Sequence, residues 1–437
     1  MLYQNNKKYC SGAVQKENVL FRLNADVIGY DRRSGLKVYA PKIICFTRSA
    51  LSKGTIIVGK AGSGKTTSVL MKAGKQLMNN LGTNDKMIIL DVKGEYTEQL
   101  AGRDTIIIGP ESHRDVWNIY NDILAFGKSS IDIRAGEVAE YLFMDQKALN
   151  DPFWVNAAKI LLKKILTYHI RQAIEEKDTS QLNNAALSLF ISSLTVEKLI
   201  SMLETYDDFA ECKILLGDPE RGTIEKQGFS VLSELIVMRD RIFNSSFREK
   251  GEFSMADFIR NGSGTLILQM DMSSFNFFKG IFTYLIDISI SAIASPSTKT
   301  GSIYYLLDEF AMLPKLKNLP TAVALLRTKS CCMICGVQTI DQIYSTYNSG
   351  EEKTADVVLD LFQNIIVMKS SESTAEYLKH HFGEREGRIY YTKSDGSLGE
   401  RSERRPVVEL NDVIYLKPGE AYLKFAQGTP FKVKFSL

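Results

Sequence analysis

The sequence predicts an α/β fold: a mostly parallel, helix-covered sheet interrupted by an all-helical insertion. Three observations predict it. Short, fully apolar runs alternate with helix-forming stretches towards both ends of the chain, as in a parallel sheet buried on both faces. One of these runs, Thr55 to Val58, passes through a glycine-rich turn into a helix. Between about Ser129 and Asn244, helical periods replace strand signal almost entirely.

Taken in order, residues 1–53 read as short strands and turns, with strands at Val19 to Leu23, Leu36 to Tyr39 and Ile43 to Thr47. The helix after the glycine-rich turn runs from Lys65 to about Asn79, and Lys86 to Asp91 is a buried-type strand ending in an acid. A strand follows at Thr105 to Ile108. Asp151-Pro152-Phe153-Trp154 opens a long helix, with Asp as N-cap and Pro at the first helical position. Trp154, Ala158, Leu161 and Ile165 fall on one face of it, and Lys159, Lys163 and Lys164 read as a solvated one. Further helices read as Ala186 to Thr205 and Gly228 to Phe243. Strand character returns at Gly264 to Met270, followed by a helix through Ala294, then strands at Ile303 to Leu307 and Cys331 to Gln338 flanking a helix at Leu316 to Lys329. Helices at Asp356 to Phe362 and Thr374 to His381 flank a strand at Ile365 to Lys369. The last part is β: Arg388 to Thr392, a polar turn Ser394-Asp395-Gly396-Ser397, then Ala421 to Phe425 and Phe431 to Phe435. The expected domains are 1–128, the N-terminal strands and the first part of the α/β domain; 129–258, the all-α insertion; and 259–437, the remainder of the α/β domain with a C-terminal β segment.

The 437 residues are enough for two or three domains, and 44% hydrophobic with 24% charged content is ordinary for a globular protein. A net charge of +3 is too small to announce a nucleic-acid partner by itself. Cys10, Cys45, Cys212, Cys331, Cys332 and Cys335 lack disulfide or zinc spacing, which fits a reducing cytoplasm, and the last three read as buried strand thiols. No signal peptide opens the chain, and the longest apolar helix, near Ile281 to Ala294, carries Asp287 and is read as too short to span a bilayer. No direct membrane span is expected.

The turn itself has the pattern G-x-x-x-x-G-K-T, made by Gly59, Lys60, Ala61, Gly62, Ser63, Gly64, Lys65 and Thr66, with Thr67 following. Such a loop binds phosphate for physical reasons. Its glycines allow a tight fold that aims successive N–H groups inward, and the helix behind it presents its positive end to the same anion. Lys65 reaches the β- and γ-phosphates, and the Thr66 hydroxyl suits Mg²⁺. ATP and Mg²⁺ are therefore the expected cofactors. The partner site should be an acid at the end of a neighbouring apolar strand. Asp308 meets this after Ile303 to Leu307 as a metal-holding acid, and Glu309 beside it can orient or deprotonate an attacking water. Asp91 is the rival, but lacks the adjacent glutamate. The adjacent Asp-Glu arrangement is typical of RecA-like and AAA-type motor ATPases. Gln338, ending a strand, sits where a γ-phosphate sensor would, and Arg327 is a candidate arginine finger for a neighbouring subunit.

With these motifs in order, the chain resembles the type IV coupling proteins, the DNA-transfer ATPases of type IV secretion systems. The resemblance rests on Gly59 to Thr67, Asp91-Val92-Lys93-Gly94-Glu95, Phe153-Trp154, Leu307-Asp308-Glu309-Phe310-Ala311-Met312-Leu313 and Gly336-Val337-Gln338-Thr339. It implies a RecA-like domain with an inserted all-α domain and a homo-hexameric ring. It also implies hydrolysis of ATP to recruit and move relaxase-linked single-stranded DNA or protein effectors into a membrane-embedded secretion channel. By position, Lys65 and Thr66 become the phosphate and metal ligands, Asp308 and Glu309 the metal-holding and catalytic acids, Gln338 the sensor and Arg327 the finger. Val92 stands where many members have proline, and the N-terminal transmembrane helices of most members have no counterpart here, which leaves open a soluble member, a trimmed chain or a subunit docked on a separate membrane protein; a cytoplasmic location, peripheral to the inner membrane through partners, is expected. The alternatives are a double-stranded-DNA pump of the chromosome-segregation or end-resection type, or an effector receptor that moves no DNA.

Overall fold

The computed structural model describes residues 19–30, 37–144, 152–217, 222–294, 301–349, 353–392, 397–426 and 428–436. The chain divides into two compact units: Met1–Leu90 with Gly301–Lys315 and Pro320–Leu437, and Asp91–Thr300 with Leu316–Leu319.

The first unit is built on a sheet. Its strands are β1 (Val19–Tyr30), β2 (Lys37–Thr47), β3 (Thr55–Val58), β4 (Lys86–Asp91, whose last residue falls in the second unit), and, later in the chain, β7 (Ile303–Leu307), β8 (Cys331–Val337), β9 (Asn364–Val367), β12 (Glu420–Lys424) and β13 (Phe431–Phe435). They run in the order β2-β1-β13-β12-β9-β3-β8-β7-β4. The core of this row, from β9 to β4, is parallel, as continuous apolar strands require; every residue of β3, β4, β7, β8 and β9 is buried. The other half is antiparallel, with β13 seated between β1 and β12. Its edge hairpin is longer than the short expected strands, because Asn24-Ala25-Asp26 continues β1 in register with β2. The N-cap expected at Asp151, the thiol of Cys10, the expected strand residue Leu36 and the turn residues Ser394 to Gly396 lie outside the described residues. Cys331, Cys332 and Cys335 are buried in β8, where burial is the main cause that raises the Cys332 thiol to about 12.

The second unit is mainly helical. Strands β5 (Ile106–Ile108) and β6 (Gly264–Gln269) form a parallel pair within it. The helices Ile131–Leu142 and Ile224–Phe243 both pack on the long helix Pro152–Glu176, whose Ala158, Leu161 and Ile165 are buried as the sequence pattern requires. Two sequence readings are corrected. The stretch Ala186 to Thr205 is two helices, Asn184–Ser192 and Val196–Glu204, because Thr195 leaves the helical conformation and its hydroxyl caps Lys198 N at 3.2 Å. Lys164 is buried rather than solvated: its ammonium donates to Asp208 O at 3.0 Å and lies 4.4 Å from the Phe209 ring centre.

The apolar helix is also longer than expected, Phe275–Ala294. At 20 residues it is long and apolar enough to cross a membrane, contrary to the length argument from sequence, but most of it is buried inside the protein, against Met255–Asn261 and Ile131–Leu142. Its Asp287 accepts from Tyr141 Oη at 2.7 Å and from Asn318 N and Nδ2 at 2.9 and 2.8 Å. A core helix can hold an acid only with such donors.

Candidate nucleotide site

The site lies at the carboxyl ends of β3, β7 and β8, all in the first unit. The loop after β3 is pinned on both sides by its strand neighbours: Gly59 N donates to Val337 O at 2.9 Å and Lys60 N to Lys369 O at 2.8 Å. Ser63 N closes the turn onto Lys60 O at 3.1 Å, and Gly419 N holds Ser63 O at 3.0 Å. Gly62 and Gly64 have φ of +74° and +93°, where a side chain is strained, so the backbone requires glycine at both positions. Gly59 is required by space, since a Cβ there would stand 2.5 Å from Ser63 Oγ. The turn enters the helical segment Lys65–Leu70, which continues as Met71–Asn79. Lys60, Ala61, Gly62 and Thr67 are exposed, whereas Ser63 and Lys65 are buried.

The two halves of the site, far apart in sequence, meet directly. Lys65 Nζ donates to Asp308 Oδ1 at 2.8 Å and lies 3.4 Å from Glu309 Oε1. Thr66 Oγ1 donates to Asp308 Oδ2 at 2.7 Å, and Gln338 Nε2 donates to Glu309 Oε2 at 3.3 Å. Lys65, Asp308 and Glu309 are each at most 7% exposed, so their charges compensate one another out of bulk water. Thr66 and Asp308 supply one hydroxyl and one carboxylate, hard oxygen donors of the kind Mg²⁺ takes alongside phosphates.

Glu309 has φ +60° and ψ +40°, a left-handed conformation that costs a non-glycine residue about 1–3 kcal/mol. It aims the carboxylate back at the loop while the backbone turns away. The Gln338 backbone is fixed as well: its N–H donates to Gln342 Oε1 at 3.0 Å and its carbonyl accepts from Ser370 Oγ at 3.1 Å.

Asp91, the rival acid, is engaged elsewhere: its Oδ2 accepts from Thr97 N and Oγ1 at 2.7 and 2.8 Å. Arg327 lies in the helix Leu319–Thr328, and its side chain is outside the described ones. Sequence reasoning missed Gly336 as a site residue. A Cβ there would stand 2.8 Å from Asp308 Oδ1 and 3.0 Å from Lys65 Nζ. A glycine inside an otherwise apolar strand is itself the signal of such a close approach.

A phosphate loop on one strand, facing an Asp-Glu pair and a glutamine at the ends of its parallel neighbours, defines a P-loop ATPase of RecA-like fold. The sequence profile of the type IV secretion-system coupling protein DNA-binding domain matches residues 39–436, and the chain belongs to that family. Its fold is similar to that of the bacterial conjugative coupling protein TrwBdeltaN70 in unbound form, with a TM-score of 0.69 and 20% identity over 90% of this chain and 86% of that one. TrwB in complex with ADP and Mg²⁺ gives a TM-score of 0.68, again at 20% identity, over 90% and 87%. VirB4 of Thermoanaerobacter pseudethanolicus gives 0.54 at 14% identity over 98% of both chains. No curated protein sequence matches the chain.

Proposed function

We propose that this chain is a coupling ATPase that uses ATP hydrolysis to recruit DNA or protein cargo and drive it into a type IV secretion channel. The observation that carries the reading is the Lys65 ammonium held between Asp308 and Glu309, directly behind the phosphate loop. A lysine at this point has two competing claims on it. When ATP enters, its phosphates take over Lys65, and Thr66 and Asp308 are left to hold Mg²⁺. Held by Thr66 and Asp308, Mg²⁺ would supply neutralisation of phosphate charge. Glu309 orients and deprotonates the attacking water, and Gln338, already bonded to it, reports the γ-phosphate. ADP with Mg²⁺ in the TrwB complex supports this pair of cofactors.

The working assembly in this reading is a homo-hexamer in which Arg327 reaches a neighbour's nucleotide. Residues 129–258 form the inserted all-α domain between the parts of the nucleotide-binding domain at 1–128 and 259–437. The cargo is relaxase-linked single-stranded DNA or a protein effector, and membrane-embedded channel components hold the chain at the inner membrane. The test is ATP turnover with single-stranded DNA, duplex DNA or none, run with wild type and Glu309→Gln, alongside size exclusion of the variant with ATP. Stimulation by single strands that fades with salt is expected, together with a Glu309→Gln variant that binds ATP, turns over about 10²–10⁴-fold more slowly and is retained as a ring. Turnover indifferent to every DNA at low salt overturns DNA as the cargo, and normal turnover in the variant overturns Glu309 as the catalytic base.

A further inference from the structure

Strands β10 (Glu384–Thr392) and β11 (Leu398–Pro406) form a two-stranded sheet of their own in the first unit. An isolated hairpin of two strands is marginal in water, so its composition should say what it is for. Directly opposite residues share a face, and faces alternate along each strand. One face therefore carries the pairs Arg385↔Arg405, Gly387↔Glu403, Ile389↔Arg401 and Tyr391↔Gly399. The other face carries three glutamates, at positions 384, 386 and 400, against two arginines, at positions 388 and 404.

The first face thus concentrates three arginines against one glutamate. Arg385 and Arg405 stand directly opposite each other, an arrangement of like charges that weakens a free-standing ribbon. Glu403 accepts from Arg405 Nη2 at 3.1 Å and Nε at 3.2 Å, which leaves it committed to one of the three. Arg385, Arg401 and Arg405 are all exposed. Past them, the outer end of the Tyr391 ring lies over Gly399, where a Cβ would stand 2.6 Å from its Cζ, and the residue remains 45% exposed. A glycine here makes the ring a platform rather than a filled contact.

We infer that this face of the β10–β11 ribbon binds single-stranded nucleic acid, with Arg385, Arg401 and Arg405 on the phosphates and Tyr391 stacking on a base. A flat exposed ring beside a row of guanidinium groups is the combination that single strands take without sequence preference. The inference rests on the DNA-handling function proposed above and gives it a second contact surface, apart from the nucleotide loop.

The test is the affinity of the full chain for a labelled oligo-dT across a salt series. The variants are the triple Arg385→Gln, Arg401→Gln, Arg405→Gln; the matching triple Arg→Lys; and Tyr391→Leu. Each lost phosphate contact on a single strand removes about 0.7 from the slope of log K against log salt, so the glutamine triple should lose about 2. The lysine triple should keep most of the slope. Tyr391→Leu should weaken binding about 5- to 100-fold with the slope unchanged. ATP turnover without DNA should be unaffected in all of them. A glutamine triple that binds with wild-type slope overturns the inference while leaving the proposed function standing. So does a lysine triple as defective as the glutamine one. Phosphatidylserine vesicles that lose the glutamine triple while oligo-dT retains it would place a membrane, not DNA, on this face. Wild-type protein that neither binds oligo-dT nor is stimulated by it overturns the inference together with DNA as the cargo, and leaves protein cargo standing.

Discussion

Replacing Gly336 with alanine tests the site at the point where its two halves meet. The backbone of Gly336 has no positive φ, so alanine brings no conformational strain and the effect isolates a single added methyl group. That methyl stands 2.8 Å from Asp308 Oδ1, 3.0 Å from Lys65 Nζ and 3.0 Å from Leu70 Cδ1. Ordinary contact at roughly 3.5 Å requires each to withdraw by roughly 0.5–0.7 Å. Asp308 has little room to give. Its Oδ1 accepts from Lys65 Nζ at 2.8 Å and from Glu309 N at 3.1 Å, and its Oδ2 accepts from Thr66. Overpacking of this kind costs about 1–3 kcal/mol of stability. Because a displacement of about 1 Å in a catalytic group can cost about 10²-fold, turnover should fall about 10- to 100-fold. Steady-state ATP turnover, nucleotide affinity by calorimetry and urea unfolding measure the three quantities separately. Wild-type turnover together with wild-type stability would refute the claim that this glycine makes room for Lys65 and Asp308.

Lys65→Ala should abolish nucleotide turnover, and by withdrawing the ammonium from the buried Asp308 and Glu309 carboxylates it should also destabilise the nucleotide-free protein by about 3–5 kcal/mol, read by urea unfolding; an unchanged midpoint would mean that other partners compensate the carboxylates. In the helical unit, burial lowers His169 to about 4 from 6.5, with the Tyr120 hydroxyl 2.6 Å from Nδ1. A depressed histidine contributes stability above its unfolded pKa and loses it as pH falls through the folded one, so about 3 kcal/mol should disappear between pH 6.5 and 4. Asp122 and Asp287, both raised to about 6 by burial, act in the opposite sense over much of that range. His169→Gln should therefore become more acid-stable relative to wild type, and identical pH profiles for the two would exclude a neutral buried histidine.

Much of this protein was readable in advance wherever function is written into local pattern. The loop from Gly59 to Thr66 needs its glycines for its own backbone, so its spacing is visible without the rest of the fold. Asp308-Glu309 is visible because an acid pair after five apolar residues is rare and has one obvious use. Gly336 escaped because its reason lies in side chains from two other segments, although its place inside a strand was a hint. The strand β11 escaped for another reason. Leu398 to Pro406 is dominated by Glu and Arg and has no apolar alternation, so nothing local marks a ribbon that packs on little. The break at Ser193 to Thr195 was hidden because apolar periodicity continues across it, and only the capping hydroxyl of Thr195 decides the matter.

The order in which the sheet is assembled along the chain bears on how the protein is made. Strand β3 pairs only with β8 and β9, and the loop's first two N–H groups are held by the carbonyls of Val337 and Lys369. During synthesis the four residues Thr55 to Val58, three of them apolar, thus leave the ribosome long before either partner exists, while the hairpin β1–β2 can close at once. Long-range parallel pairing of this sort folds slowly and exposes strand edges in the meantime. A ribosome-stalled chain ending before Lys369 should accordingly bind no nucleotide, despite carrying the entire phosphate loop and both acids. Nascent chains of this protein are natural clients for chaperones until their last quarter emerges.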